Sequence, residues 1–152
     1  MVMRCIAHGM PCAVVQFIKG TWVTGEAELL RGKFANECRF FISGEGFTWE
    51  TQDRERDIKA AGIALAKAAE MLASGKYDLV ILDEINIALR YDYITPEAVI
   101  AALEGRDPKT GAILTGRDAP QAICDYADLV SVIEEQKHPF KAGIKAQRGV
   151  DF

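Results

Sequence analysis

Apolar residues along the chain fall into short runs separated by segments with a helical repeat. The runs are rich in β-branched and aromatic residues and nearly continuous, without the alternation expected of a strand with one face in water. Such runs are typical of strands buried on both faces of a parallel sheet. We therefore predict five strands, at Cys12–Ile18, Arg39–Ile42, Leu79–Leu82, Ala112–Leu114 and Leu129–Ile133.

Helical patterns fill the gaps between these runs. Asp53–Leu72 carries an apolar stripe at three- and four-residue steps and is followed by a Ser-Gly pair that favours a stop. A second helix is predicted from a Thr95 cap to Leu103, and a third from an Asp118 cap over Ala119–Ala127. Strands alternating with helices imply right-handed crossovers, hence a three-layer α/β sandwich.

Length and charge narrow the functional class. A chain of 152 residues fits one domain, residues 1–152. With 18 basic and 22 acidic side chains the net charge is −4, which argues against a nucleic-acid partner. No apolar run is long enough for a membrane span, and the first ten residues lack the pattern of a signal peptide, so we expect a cytoplasmic protein. Basic residues near the carboxyl end are interpreted as a solvated face or a small-anion site: Lys137, His138, Lys141, Lys145 and Arg148.

Cysteine and histidine give little sign of chemistry. The four cysteines form no C-x-x-C pair and have no zinc-finger spacing, so we expect reduced structural thiols. Cys5, His8 and Cys12 could be metal ligands, but the sequence suggests no fourth ligand. A lone histidine such as His138 is more often a hydrogen-bonded structural group than a base.

Polar residues follow three of the predicted strands directly, where α/β proteins bind ligands: Lys19–Gly20, Asp83–Glu84 and Thr115–Gly116–Arg117. Asp83 and Glu84 come after an apolar strand, as in a Walker-B-like motif, and carboxylates beside a nucleotide suit Mg²⁺. The alternative is a helix cap with a solvated glutamate. Thr115-Gly116-Arg117 offers a hydroxyl and a guanidinium to phosphate, or forms an ordinary turn.

Two further features concern ligands. Phe47 and Trp49 lie in a glycine-bracketed polar loop, where they could contact a flat, apolar ligand or anchor the loop to the core. Neither G-x-x-x-x-G-K-[ST] nor G-x-G-x-x-G occurs, so the usual phosphate cradle is absent from the sequence.

Taken together, several segments in fixed order resemble the P-loop corrinoid adenosyltransferases over nearly the whole chain. They are 15–20 (VQFIKG), 25–26 (GE), 46–52 (GFTWETQ), 82–84 (LDE), 115–117 (TGR), 137–140 (KHPF) and 143–147 (GIKAQ).

The resemblance implies a RecA-like P-loop NTPase fold and transfer of the 5′-deoxyadenosyl group of ATP to the cobalt of a reduced cob(I) corrinoid, with release of triphosphate, in adenosylcobalamin biosynthesis or salvage. It also implies Mg²⁺, a homodimer and an electron-donating flavoprotein or reductase. It assigns Glu84 and Asp83 to the metal, Phe47 and Trp49 to the corrinoid, and Lys19, Arg117 and Gln16 to ATP or phosphate. It gives no residue a catalytic role.

The departure from the family pattern is at the amino end. Arg4–Gly9 looks like the end of the helix that follows the family's first strand and P-loop, so both are expected to be missing. This predicts weak ATP binding, and exposed apolar edges on Val14, Val80 or Ile113. Two other functions stay open: a corrinoid-binding module without ATP turnover, and a different RecA-like nucleotide-binding protein.

Overall fold

The computed structural model describes residues 1–18, 24–43 and 54–149. Helices and strands alternate along them. In chain order the elements are α1 (Val2–Ala7), β1 (Cys12–Gln16), α2 (Gly25–Gly32), β2 (Cys38–Ile42), α3 (Arg54–Ala73), β3 (Leu79–Asp83), α4 (Ile85–Arg90), α5 (Pro96–Glu104), β4 (Gly111–Leu114), α6 (Gln121–Tyr126) and a 3-10 helix (Pro139–Ala142).

The four strands form one parallel sheet in the order β2-β1-β3-β4. In register, Val14 of β1 lies between Phe40 of β2 and Ile81 of β3. Parallel strands need long connections, and helices supply them: α2 lies between β1 and β2, α3 between β2 and β3, and α4 with α5 between β3 and β4. The predicted α/β class with a parallel sheet is confirmed, and the arrangement is consistent with a RecA-like fold.

Alternate residues of the strands face two separate cores. Ala13, Val15 and Phe17 pack with residues of α3, α4 and α5 on one face. Cys12 and Val14 pack on the other face with residues of α1, α2 and β2. Because side chains alternate across a strand, one apolar run fills both cores, as the prediction of a three-layer sandwich requires.

Two predicted helices have the boundaries that their end signals indicate. α3 covers the described part, from Arg54, of the segment predicted from Asp53 to Leu72, and ends one residue later, at Ala73, before the Ser-Gly pair. At the start of α5, the Thr95 hydroxyl accepts a hydrogen bond from the Ala98 N–H at 3.3 Å, with Pro96 in the first turn. α2 and α4 were not predicted, because both are short: they span eight and six residues.

The prediction that Asp118 caps the next helix is wrong. α6 begins at Gln121 with Pro120 as its cap residue, whereas Asp118 has a left-handed backbone (φ 58°) and pairs with Arg90 at 2.8 Å. Proline disfavours helical backbone in the residue before it, so the helix cannot begin at Ala119.

The predicted fifth strand is also wrong. Leu129–Ile133 contains no strand, and the side chains of Leu129 and Ile133 are 81% and 97% exposed. A strand needs a neighbour with which to exchange backbone hydrogen bonds. Among the described residues nothing pairs with the outer edge of β4, so this apolar run has no sheet to join.

The predicted exposure of apolar residues in the sheet is wrong for two of the three positions. Val14 is 5% exposed and Val80 is fully buried, because β1 and β3 are the two central strands. Ile113, on the edge strand β4, is half-buried against the second core.

The basic residues near the carboxyl end face solvent, as predicted, and apolar side chains of the same segment such as Phe140 and Ile144 are exposed beside them. All five basic residues of the predicted solvated face are exposed, and Lys141 forms an ion pair with Glu135. His138 is the hydrogen-bonded structural residue expected, since its Nδ1 accepts the Phe140 N–H at 3.1 Å at the start of the 3-10 helix. No helix in the described part of the chain combines the length and apolar character needed to cross a membrane.

Candidate functional site at the carboxyl ends of the strands

Asp83, the last residue of β3, is held by donors from both neighbouring strands. The Gln16 side chain, at the end of β1, donates from Nε2 to Asp83 Oδ2 at 3.3 Å. The Thr115 hydroxyl, just past β4, donates to Asp83 Oδ1 at 2.9 Å. Parallel strands bring their carboxyl ends to one edge, so residues 67 and 32 positions away in sequence fix both oxygens of this carboxylate.

Glu84 follows Asp83 in a strained backbone conformation. Its φ is 60° and ψ 22°, a left-handed geometry that costs a residue with a Cβ about 1–2 kcal/mol. The Glu84 N–H donates to Thr115 Oγ1 at 2.9 Å, which helps to hold this geometry. Within the described residues the Glu84 carboxylate makes no hydrogen bond or ion pair.

The environment of Glu84 disfavours its charged form. Burial raises the pKa of the Glu84 carboxyl, the neighbouring Asp83 charge raises it further, and Arg117 opposes both. The site thus has an excess of negative charge that one arginine only partly offsets. A cation beside Asp83 and Glu84 would relieve this excess, because opposite charge favours the ionised carboxylate.

The turn after β4 is locked to the start of α4. The Asn86 N–H donates to the Thr115 carbonyl at 3.2 Å, and Asn86 Nδ2 donates to the Gly116 carbonyl at 3.3 Å. Gly116 has φ +123°, and a Cβ placed on it would lie 3.0 Å from Asn86 Cβ. The carboxyl ends of β3 and β4 are therefore packed together as one unit. Arg117, which follows Gly116, is exposed to solvent.

Asn86 is 5% exposed, and its Oδ1 has no hydrogen-bond partner in the described part of the chain. Buried polar atoms are nearly always paired, so this acceptor is an unusual feature beside the two carboxylates.

The structure brings together four of the seven residues proposed for ligands: Gln16, Asp83, Glu84 and Arg117. The other three, Lys19, Phe47 and Trp49, lie outside the described residues.

Residues that border the segment 44–53 are well anchored. Ser43 follows β2, is 1% exposed, and donates from Oγ to the Ala60 carbonyl of α3 at 2.6 Å. Near the start of α3, buried Asp57 accepts the Tyr93 hydroxyl at 3.2 Å.

Sequence reasoning missed Ser43, Asp57, Asn86 and Tyr93, and it suggested the Thr115 hydroxyl only for phosphate. The signal for Ser43 was weak: one small polar residue at a strand end. Asp57 and Tyr93 gave none, because their contact joins elements 36 positions apart.

The described residues offer no larger metal site. They contain no group of three or more His, Cys, Asp or Glu side chains able to hold a metal ion, so the arrangement of Cys5, His8 and Cys12 provides none. Cys5 and Cys12 are buried free thiols, as expected. Two carboxylates are nevertheless a sufficient protein donor set for Mg²⁺, which keeps several waters and also binds phosphate oxygens.

Comparison with known proteins identifies the family. The model of the family described as ATP:corrinoid adenosyltransferase BtuR/CobO/CobP matches residues 1–152. The chain belongs to this family.

Curated corrinoid adenosyltransferases agree with the match. One from Sinorhizobium sp is 54% identical over 153 residues, which cover 100% of this chain and 72% of that protein. One from Pseudomonas aeruginosa is 47% identical over 152 residues, covering 100% of this chain and 74% of that protein. Corrinoid adenosyltransferase CobA of Salmonella typhimurium is 44% identical over 149 residues, covering 98% and 74%. The resemblance inferred from the ordered motifs is confirmed.

Proposed function

We propose that this chain transfers the 5′-deoxyadenosyl group of ATP to the cobalt of a cob(I) corrinoid. The electron pair of Co(I) forms the Co–C5′ bond, the C5′–O bond of ATP breaks, and triphosphate leaves with the electrons of that bond. The family match over residues 1–152 carries the proposal. The corrinoid-binding module without turnover, which the sequence left open, gains no support from any of these observations.

Asp83 and Glu84 are proposed to hold the Mg²⁺ that accompanies ATP. The raised pKa of Glu84 supports this, since the pair carries more negative charge than its surroundings compensate. Bound Mg²⁺ would offset the charge of the triphosphate leaving group. Of these two carboxylates, that of Glu84 makes no hydrogen bond to the described residues, whereas both oxygens of Asp83 accept hydrogen bonds. We therefore assign Glu84 the more direct contact with Mg²⁺.

Arg117, Lys19 and Gln16 are proposed to contact ATP or its phosphates. Arg117 is exposed and acts electrostatically on Glu84, so its guanidinium can reach a phosphate beside the carboxylates. The Gln16 amide already donates to Asp83, which favours a role in orienting that carboxylate. For Lys19 the proposal rests on its place after β1 in the sequence.

Phe47 and Trp49 are proposed to contact the corrinoid. An apolar aromatic wall would keep an axial donor away from cobalt, which favours the reduced, nucleophilic metal. The segment 44–53 that carries them joins β2 to α3, and its neighbours Ser43 and Asp57 are buried and hydrogen-bonded. Titration of the protein with cob(II)alamin should show weaker binding for Trp49→Ala, and unchanged affinity would contradict this role.

Two further properties are proposed on the family resemblance alone: a homodimer, and a flavoprotein or reductase that supplies the electrons for Co(I). A cytoplasmic location is proposed on the residue pattern given in the sequence analysis.

The test is an anaerobic assay in which chemically reduced cob(I)alamin, ATP and Mg²⁺ are mixed with the full chain and adenosylcobalamin is followed by its absorbance. Glu84→Gln should lower kcat by about a hundredfold or more, because it removes a charge that acts on the developing leaving group. Glu104→Gln is the matched control, since Glu104 is an exposed glutamate at the end of α5. Absence of adenosylcobalamin with the unmodified chain would refute the proposed function, and equal rates for both variants would refute the assignment of Glu84.

A further inference from the structure

We propose that Thr115 is a positioning residue of this reaction, whose hydroxyl sets the geometry of both carboxylates. The inference rests on the proposed role of Asp83 and Glu84 toward Mg²⁺. It assigns the hydroxyl to the carboxylates and not to the phosphate that the sequence suggested.

The Thr115 hydroxyl bridges the two acidic residues. It donates its proton to Asp83 Oδ1 at 2.9 Å and accepts the Glu84 N–H at 2.9 Å. A hydroxyl is the smallest side-chain group that can donate and accept at once. Each bond supports the other, because donation to a charged carboxylate is strong and polarises the O–H group.

The two bonds have different consequences. The bond to Asp83 fixes one side-chain oxygen while Gln16 fixes the other. The bond from Glu84 stabilises a left-handed backbone at φ 60°, and this backbone decides where the Glu84 carboxylate projects. Without the hydroxyl, Asp83 keeps one donor, and Glu84 loses the side-chain acceptor that holds its strained conformation.

The position of Thr115 itself is fixed by the backbone. Its N–H donates to the Leu82 carbonyl at 3.1 Å, and its carbonyl accepts the Asn86 N–H at 3.2 Å. A substitution that keeps the shape of the side chain should therefore leave the backbone in place and remove only the hydroxyl bridge. Thr115→Val does this, whereas Thr115→Ser retains the hydroxyl.

A threonine at the other end of β4 supplies the control. Thr110 is 3% exposed, and its hydroxyl donates to the Tyr77 carbonyl at 2.7 Å, remote from the carboxylates. Thr110→Val removes a buried threonine hydroxyl bond to a neutral backbone carbonyl. It therefore reports the cost in stability without a change at Asp83 and Glu84.

The first measurement is the binding of Mn²⁺, as a paramagnetic stand-in for Mg²⁺, to the full chain with ATP, read from the free-ion EPR signal. Thr115→Val should weaken Mn²⁺ binding about tenfold or more, the range expected for loss of a hydrogen bond to a charged group. Thr115→Ser and Thr110→Val should stay within about threefold of the unmodified chain, inside the usual scatter of such values. Equal Mn²⁺ affinity for Thr115→Val and the unmodified chain, or equal losses for Thr115→Val and Thr110→Val, would overturn the proposal.

A second measurement needs no substrate. The Glu84 amide proton should exchange with deuterium faster in Thr115→Val than in Thr115→Ser, while Thr110→Val leaves it unchanged. Unaltered exchange in Thr115→Val would overturn the bridge even if activity changed. If Thr115→Val does not fold, Thr115→Ala is compared with Thr115→Ser on the same two readouts, with the same expected order. If exchange is faster in Thr115→Val but the unmodified chain forms no adenosylcobalamin, the hydroxyl bridge is supported and only the proposed function is refuted.

Discussion

Gly116→Ala adds only one methyl group, and we predict that it destabilises the protein strongly. At φ +123° a residue with a Cβ is strained, which costs about 1–3 kcal/mol. The added methyl group would also lie 3.0 Å from Asn86 Cβ and 3.3 Å from the Asn86 backbone nitrogen, and overpacking of this kind costs about 1–3 kcal/mol. Since the neighbour is the start of α4 and not a flexible side-chain end, the contact cannot relax cheaply. The two contributions together give about 2–6 kcal/mol.

Urea unfolding followed by circular dichroism measures this change. With a typical m value of about 1–3 kcal/mol per molar urea, the midpoint should fall by about 0.7 M or more. Gly111→Ala is the matched control, at the start of β4, the strand that precedes the turn with Gly116. Its backbone is not left-handed, and the nearest atom to an added Cβ, the Asp78 carbonyl oxygen, is 3.5 Å away. That variant should change stability by less than about 1 kcal/mol. Equal midpoints for the two variants would show that the packing at the strand tips is not as constrained as argued.

Two other predictions concern buried groups away from the strand ends. Burial raises the pKa of the Cys12 thiol from 9.0 to about 12. Above pH 9.0 the unfolded chain loses a proton that the folded chain keeps. The free energy of unfolding should therefore fall by about 1.4 kcal/mol per pH unit up to about pH 12. In urea unfolding between pH 9 and 10.5, the free energy of unfolding of Cys12→Ala should fall less steeply with pH than that of the unmodified chain. Tyr93→Phe should lower the free energy of unfolding by about 1–2 kcal/mol, because it removes a hydrogen-bond donor to buried Asp57. Tyr77→Phe is the control and should leave stability unchanged, since the Tyr77 hydroxyl has no hydrogen bond in the described part of the chain. Equal urea midpoints for the two variants would contradict the Asp57 contact.

The sequence predicted the central strands of the sheet well, because a strand buried on both faces appears in the sequence as a short, nearly continuous run of apolar residues. Cys12–Gln16 and Leu79–Asp83 carry apolar residues on both faces, and their short length and β-branched residues favour a strand over a buried helix. The same logic placed Asp83, Glu84 and Thr115 at one edge, since the carboxyl ends of parallel strands coincide. The ordered motifs then pointed to the family.

The errors share a different cause. Leu129–Ile133 has the composition of a strand, but strand formation depends on a neighbour, which composition does not encode. Asp118 has the chemistry of a helix cap, yet Pro120 two residues later and the ion pair with Arg90 decide its backbone. The hydrogen bonds of Thr115 depend on how far β3 and β4 are shifted along each other. This shift is the register of the two strands, which the composition of either strand alone does not specify.

The backbone at Glu84 links stability to the proposed function. In the described part of the chain, left-handed φ values at residues other than glycine occur at Glu84, Asp92 and Asp118, and two of these three flank the candidate site. A glycine at position 84 would remove a backbone cost of about 1–2 kcal/mol, but it would also remove the carboxylate. The favourable contacts that compensate for this cost come from Thr115, which also orients Asp83. A strained acidic residue held by a neighbour's hydroxyl fits the metal-binding role proposed for its carboxylate, because backbone strain of this kind is typical of functional sites.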